Sequence, residues 1–315
     1  MKDFTVFWGC TIPARFPFLE KSVRTVLDGM SLPYRDIDGF TCCPEKSLVN
    51  NIDHGLWTLT AARNIAVAEG EGLNIVSPCT GCVSNLATVK SELKTNQKKK
   101  AEVNSVFESI GRKYEGKIKL SHLVPFFHDE VGANAIKSAI KRDFRGMKFA
   151  VHYGCHMMRP GHALKNDDPL DPKKFDNLIR TLGGESMDYM TKLTCCGQGL
   201  DRVDQHENAL TMARLKLKEL KMLGADAMAL CCPSCFLQFD NNQNLMEKDG
   251  EKLGIPVLYF TDILGLAMGY KSEDLGLPGH RIDVGPFLKK WEAMNEAPKM
   301  SKIQEEFGGE GAFTL

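Results

Sequence analysis

Residues 73–82 read LNIVSPCTGC and residues 227–235 read AMALCCPSC. In both, a short apolar run of strand length leads into a Cys-x-x-Cys pair. A strand delivering thiols at its carboxyl end, followed by a segment with helical spacing, is the unit of an open α/β sheet, which gathers its ligands at the carboxyl ends of parallel strands. Each CxxC is expected to open a helix, where the dipole favours ionised thiols.

The surroundings of the two stretches also match. FWGC at 7–10 answers HYGC at 152–155, and FTCC at 40–43 answers LTCC at 193–196. Ten of the eleven cysteines thus form two copies of one pattern: Cys10, Cys42-Cys43 and Cys79-x-x-Cys82, then Cys155, Cys195-Cys196 and Cys232-x-x-Cys235. In each copy 35 residues separate the adjacent pair from the CxxC. The copies are offset by 153 residues at the pair and the CxxC but by 145 at the first cysteine. An insertion therefore lies between Cys155 and Cys195, most simply in the turn-rich loop His162 to Pro172.

Strands are expected at Phe4 to Gly9, Leu73 to Ser77, Ile118 to Leu123, Phe149 to Tyr153, Ala227 to Leu230 and Pro256 to Phe260. Helices are expected at Trp57 to Glu69, Asn104 to Tyr114, Gly132 to Lys141, Asn208 to Met222 and Thr261 to Tyr270. The fold class is α/β: two pseudo-repeated cysteine-rich domains with mostly parallel sheets and metal clusters at loops on the strand carboxyl ends. The first domain covers 1–145 and the second 146–280. A tail, 281–315, with Trp291, Met294 and Phe307 among charges and glycines, suits partner docking, with a loosely ordered segment as the alternative.

Composition narrows the function classes. The 315 residues are 43% hydrophobic, enough for two ordinary cores. Lys plus Arg and Asp plus Glu both count 40, so no global field favours nucleic acid or an anionic membrane. The run Lys98-Lys99-Lys100 reads as a solvated helix face. No window approaches the roughly 18 apolar residues of a membrane span, so a cytoplasmic chain without a span is expected. Cysteine-rich chains of that kind use reduced thiols for metal or redox chemistry rather than for disulfides.

Soft thiolates gathered from separated loops suit zinc or an iron-sulfur cluster. A structural zinc site takes four ligands and would leave one cysteine of a quintet idle, so zinc in one domain is the alternative. A cubane four-iron cluster also takes four. A centre using all five needs extra iron exposure or a bridging thiolate. Cys231 lies outside the spacing and is expected as a buried thiol beside the centre.

Taken together, these motifs resemble the cysteine-rich domain family in which a cysteine is followed by Cys-Cys and then CxxC. The first gaps, 31 and 39 residues, fall within its range. Two such domains with little else attached are similar to the catalytic B subunit of the heterodisulfide reductases of methanogenic archaea, over roughly residues 4 to 270. Related tandem chains serve glycolate and lactate oxidation, succinate or fumarate reduction, and sulfur-oxidising complexes, often with an extra ferredoxin-like segment that is absent here.

The resemblance implies two non-cubane [4Fe-4S] clusters, one on Cys10, Cys42, Cys43, Cys79 and Cys82, the other on Cys155, Cys195, Cys196, Cys232 and Cys235. It implies reduction of the coenzyme M–coenzyme B heterodisulfide between them. It also implies a ferredoxin-like [4Fe-4S] partner subunit and a flavin-bearing one, with a hydrogenase or formate dehydrogenase as further partners. Splitting a disulfide takes two electrons, and iron-sulfur clusters pass one at a time, so the duplication has a chemical rationale.

The anionic substrate so implied calls for cationic donors, and Arg15 and Arg159 follow the first cysteine of each quintet. His152 and His156 flank Cys155. His152, on a strand, is expected buried and satisfied by backbone, whereas His156 is the candidate catalytic proton donor. Neither Gly183-Gly184 nor Gly308-Gly309 has the spacing of a nucleotide or flavin loop, so electrons must come from a partner. The competing classes are an electron relay that reacts with no disulfide and a zinc-stabilised scaffold.

Overall fold

A computed structural model describes residues 2–296 of the chain. Its strands form two sheets, both wholly parallel. The first contains β1 (Phe4–Val6), β2 (Asn74–Ser77) and β3 (Leu120–His122) in that order, with Val6 opposite Val76 and Ser77 opposite His122. The second contains β4 (Lys148–His152), β5 (Glu185–Ser186), β6 (Ala227–Leu230) and β7 (Val257–Tyr259), in the order β5-β4-β6-β7. Buried on both faces, these strands read as apolar runs rather than alternating ones. The strand at β5 was not expected. Its counterpart in the first half is a single bridge between Tyr34 and Phe4, so the extra residues of the second half fall between Cys155 and Ser186, an interval that includes His162 to Pro172.

Seven helices carry most of the packing. Helix α1 (Pro17–Gly29) starts with Pro17 in its first turn, where the missing N–H costs nothing, and buries Leu19, Val23, Val26 and Leu27. Helix α2 (His54–Gly70) is capped by the Asp53 carboxylate, which accepts from the Leu56 amide at 2.9 Å. Helices α3 (Thr80–Thr95) and α4 (Gln97–Glu108) follow, then α5 (His206–Met222), α6 (Phe260–Ala267) and α7 (Gly285–Glu296). The helix expected at Asn104 to Tyr114 is α4, displaced toward the N-terminus. Asn96 caps it by accepting from the Lys99 amide at 3.0 Å, and Gly111, at φ +64°, turns the chain away after its end. The lysine run lies on α4, with Lys98 exposed, Lys99 paired to Glu92 and Lys100 donating to the Glu115 carbonyl at 2.7 Å.

The two halves share one continuous core rather than meeting as separate bodies. Helix α1 of the first half packs on α6 of the second, where the Ser22 hydroxyl reaches Thr261 and Asp262. Phe16 meets Phe236 and Phe127 meets Phe260 across the same seam, with ring centroids 5.2 and 5.3 Å apart. At the other end, Trp291 of α7 stacks on Phe144 and donates its indole N–H to the Asp143 carbonyl at 2.8 Å. The early part of the expected tail is therefore packed against the second sheet. Residues 297–315, with Phe307 and Gly308-Gly309, lie outside the described residues. No helix among the described residues is long and apolar enough to cross a membrane.

Candidate metal centre

The sequence places three segments of each half at the carboxyl ends of its strands. Cys79 and Cys232 occupy the N-cap positions of helical segments, Thr80–Thr95 and Pro233–Phe236, that begin directly after β2 and β6. The first cysteine of each half follows a glycine in the left-handed region, Gly9 at φ +69° and Gly154 at φ +75°. A Cβ on Gly9 would stand 2.7 Å from the Cys82 sulfur, and one on Gly154 would stand 3.4 Å from that of Cys235. Glycine is needed there both for the turn and for the close approach of the sulfurs.

The loops bearing the cysteine pairs are held from beneath by one residue of the following helix. In the first half Asn64 of α2 accepts from the Thr41 amide at 2.8 Å and donates to the Cys42 carbonyl at 3.0 Å. In the second, Lys216 of α5 donates to the carbonyls of Thr191, Lys192 and Thr194. Both supports are fully buried.

So held, the sulfurs form a continuous row. Cys10 neighbours Cys42, then come Cys43, Cys82 and Cys79. In the second half Cys155 lies 3.9 Å from Cys195, followed by Cys196, Cys235 and Cys232. The rows join where Cys79 meets Cys232. All ten line a single cavity of about 270 Å³. Burial repeats between the halves: Cys10 and Cys42 are exposed and Cys155 and Cys195 half-buried, while the other three of each quintet are buried.

Such packing forces the thiols to share protons. Cys43 is held well below the ordinary thiol value by its neighbours Cys42 and Cys82, and Cys195 is lowered by Cys155 and Cys196. At the join, Cys235 and Cys79 lower Cys232, and contact with Cys232 raises Cys79. Buried sulfur anions this close together, with few cations beside them, suit a soft, positively charged group. The donor set fits iron and sulfide: the tandem cysteine-rich segments point to iron-sulfur binding, and five converging sulfurs per half exceed what one tetrahedral zinc accepts.

Cys231 is buried and outside the row, its thiol directed at the Tyr153 carbonyl at 3.7 Å. His152 is buried as expected, but its partner is not backbone. Its Nδ1 faces Lys216 Nζ at 3.3 Å and its Nε2 has no partner. His152, Cys196 and Cys235 offer donor atoms within 4.8 Å of one another. His156 lines the cavity, close over Gly81 of the opposite half, its pKa lowered by burial and by Lys46. Arg15 lies in a groove that opens from Cys10, whereas Arg159 is exposed beside a small separate hollow behind Cys155. Arg202 was missed by sequence reasoning. It lines both the cavity and the groove, donates to the Ser234 hydroxyl at 3.1 Å and pairs with Glu45 of the first half at 3.6 Å.

The family described as "Cysteine-rich domain" matches residues 4–87 and 149–240. The chain is 35% identical, over 92% of its length and 97% of the relative's, to the B subunit of the ferredoxin/F(420)H(2)-dependent CoB-CoM heterodisulfide reductase of Methanosarcina acetivorans. The chain belongs to the family of heterodisulfide reductase B subunits. These B subunits are disulfide oxidoreductase subunits, and the chain is also similar to a more distant relative named for another activity. "8-methylmenaquinol:fumarate reductase membrane anchor subunit" of Wolinella succinogenes is 27% identical over 90% of this chain and 98% of its own. The names of both relatives are those of subunits of larger reductases. A hypothetical protein from Helicobacter pylori shares the fold, with a TM-score of 0.70 at 18% identity over 90% of this chain and 52% of that one.

Proposed function

We propose that this chain is the subunit that reduces the coenzyme M–coenzyme B heterodisulfide to its two thiols. The observation that carries the reading is the single cavity lined by all ten paired cysteines, with the quintets adjoining at Cys79 and Cys232. Cys10, Cys42, Cys43, Cys79 and Cys82 would hold one non-cubane [4Fe-4S] cluster, and Cys155, Cys195, Cys196, Cys232 and Cys235 the other. When bound, the two clusters supply the two electrons that the S–S bond requires. Two protons complete the balance, one for each released thiol.

The remaining roles fall to side chains at the cavity and its mouth. Arg202 and Arg15 stand along the groove that continues from Cys10 and would fix the anionic groups of the substrate. His156, in the cavity wall, would pass a proton to a leaving sulfur. Arg159, behind Cys155, is assigned no contact with the bond. The free thiols suit a reducing compartment such as the cytoplasm, and electrons would arrive from a ferredoxin-like partner subunit and a flavin-bearing one.

Anaerobic preparation is expected to yield about eight irons and eight labile sulfides per chain. A reduced-viologen single turnover should then release coenzyme M thiol from the heterodisulfide. A chain holding only zinc would defeat the reading. The kinship with the Wolinella fumarate reductase subunit favours a second one, an electron relay; intact clusters that release no thiol would select it.

A further inference from the structure

The two quintets are built alike in sulfur but differ in what lies beneath them. In the first half the residue before Trp8-Gly9-Cys10 is Phe7, an apolar ring packed edge-on to Phe40. The pair loop there rests on the uncharged amide of Asn64. At the matching places the second half has His152 and Lys216.

Lys216 is fully buried and no carboxylate pairs with it among the described residues. Its neighbours are the carbonyls of Thr191, Lys192 and Thr194, the ring of His152 and the ring of Tyr189, whose centroid is 5.4 Å from Nζ. An ammonium has protons to give and no lone pair to offer, so an Nδ1–H turned toward it would meet only like charge, and His152 Nδ1 is the unprotonated nitrogen. The neutral imidazole then carries its proton on Nε2. That N–H is buried and has no protein partner, and the ring that carries it presents a nitrogen within 4.8 Å of the sulfurs of Cys196 and Cys235. A buried donor left unpaired costs about 1–3 kcal/mol, so the geometry calls for an acceptor on the sulfur side.

We propose that His152, oriented by Lys216, donates its Nε2–H to a sulfur of the centre held by the second quintet, and that this donor and the buried cation make the second centre easier to reduce than the first. Hydrogen bonds to sulfur and local positive charge both stabilise the reduced, more negative state of an iron-sulfur group, which raises its potential. Neither residue lines the cavity; His152 acts on the centre from behind the sulfurs, and Lys216, which acts through His152, is a positioning residue. The same arrangement argues against His152 as a zinc ligand. Coordination through Nε2 would move the ring proton to Nδ1, against the ammonium.

The inference rests on the two-cluster reading above, and its test separates the two. The full chain with its clusters is titrated potentiometrically under electron paramagnetic resonance, and Cys10→Ser, at the exposed edge of the first quintet, marks which wave belongs to the first centre. His152→Phe and Lys216→Asn, the residues of the first half, are expected to move the second wave to lower potential and leave the first in place. Pulsed resonance on protein with ¹⁵N-labelled histidine is expected to show a weak nitrogen coupling to the reduced second centre, lost in His152→Phe and retained, more weakly, in Lys216→Asn. Two clusters with unmoved waves and no histidine coupling overturn the inference alone. A strong coupling of directly bound nitrogen overturns it in favour of ligation. A chain that takes up no iron overturns it together with the proposed function.

Discussion

Tyr259, the last residue of β7, donates its hydroxyl to the carbonyl of Pro78, which immediately precedes the CxxC of the opposite half. The reverse contact exists too: His122, the last residue of β3, reaches the carbonyl of Cys231, immediately before the other CxxC, at 2.9 Å. Each half thus clamps the sulfur-bearing loop of its partner, and the meeting of Cys79 with Cys232 is held from both sides.

Tyr259→Phe keeps the buried ring and removes only the donor, leaving the Pro78 carbonyl without it in an apolar setting. The expected loss is about 1–3 kcal/mol in urea unfolding. A change below a few tenths would mean that the clamp does not carry stability.

His122 also makes stability depend on pH. Its Nδ1 accepts from the Val124 amide at 3.1 Å, so Nε2 carries the proton donated to Cys231, and a second proton has no place. Burial accordingly lowers its pKa from 6.5 to about 4. Between those values the unfolded chain binds a proton that the folded chain refuses. Its contribution is fully present above pH 6.5 and is lost as pH falls through the window, by about 3 kcal/mol in total. The cluster-free chain should therefore unfold at lower urea concentration at pH 4.5 than at pH 7, and His122→Gln should show a shallower dependence.

Gly9→Ala places a methyl group 2.7 Å from the Cys82 sulfur at a backbone angle that disfavours alanine. It is expected to lower iron content by about half, from loss of the first centre alone, if the chain holds the two clusters proposed above. Gly70→Ala, at the end of α2 with nothing within 4 Å of the new Cβ, should retain all its iron.

Much of this arrangement was legible from sequence because the first cysteine and the CxxC of each half follow a short apolar run, and strand runs and thiol spacing are both local. The positions of β2, β4 and β6 came out within a residue or two for that reason, and that of β7 from its apolar run alone. Helix α1 was not anticipated, although Pro17 and the apolar spacing Leu19, Val23, Val26 mark it, because it lies between Cys10 and Cys42, where the cysteine pattern is silent. His122, Asn64 and Lys216 could not be singled out. Their roles depend on partners such as Cys231, 109 positions from His122, that no pattern along the chain brings together. His152 was read correctly as buried but assigned the wrong company, since strand position shows burial without showing that a lysine lies behind the ring.

Arg202→Gln should leave iron and sulfide content unchanged, because Arg202 lies at the mouth and reaches only Ser234 and Glu45. With the heterodisulfide as substrate, loss of a charge-assisted contact worth about 1.5–3 kcal/mol predicts a fall of roughly 10- to 100-fold in kcat/KM, expressed mainly in KM. An unchanged KM would remove Arg202 from the binding groove.

The crossed clamps maintain their form when the halves are exchanged: last strand to opposite loop, in both directions. A contact set with that property is the interface of an isologous dimer written into one polypeptide. Covalent linkage frees such an interface from the requirement that both sides be identical. One side can then carry a phenylalanine and an asparagine where the other carries a histidine and a lysine, a division of labour that two copies of a single repeat could not reach.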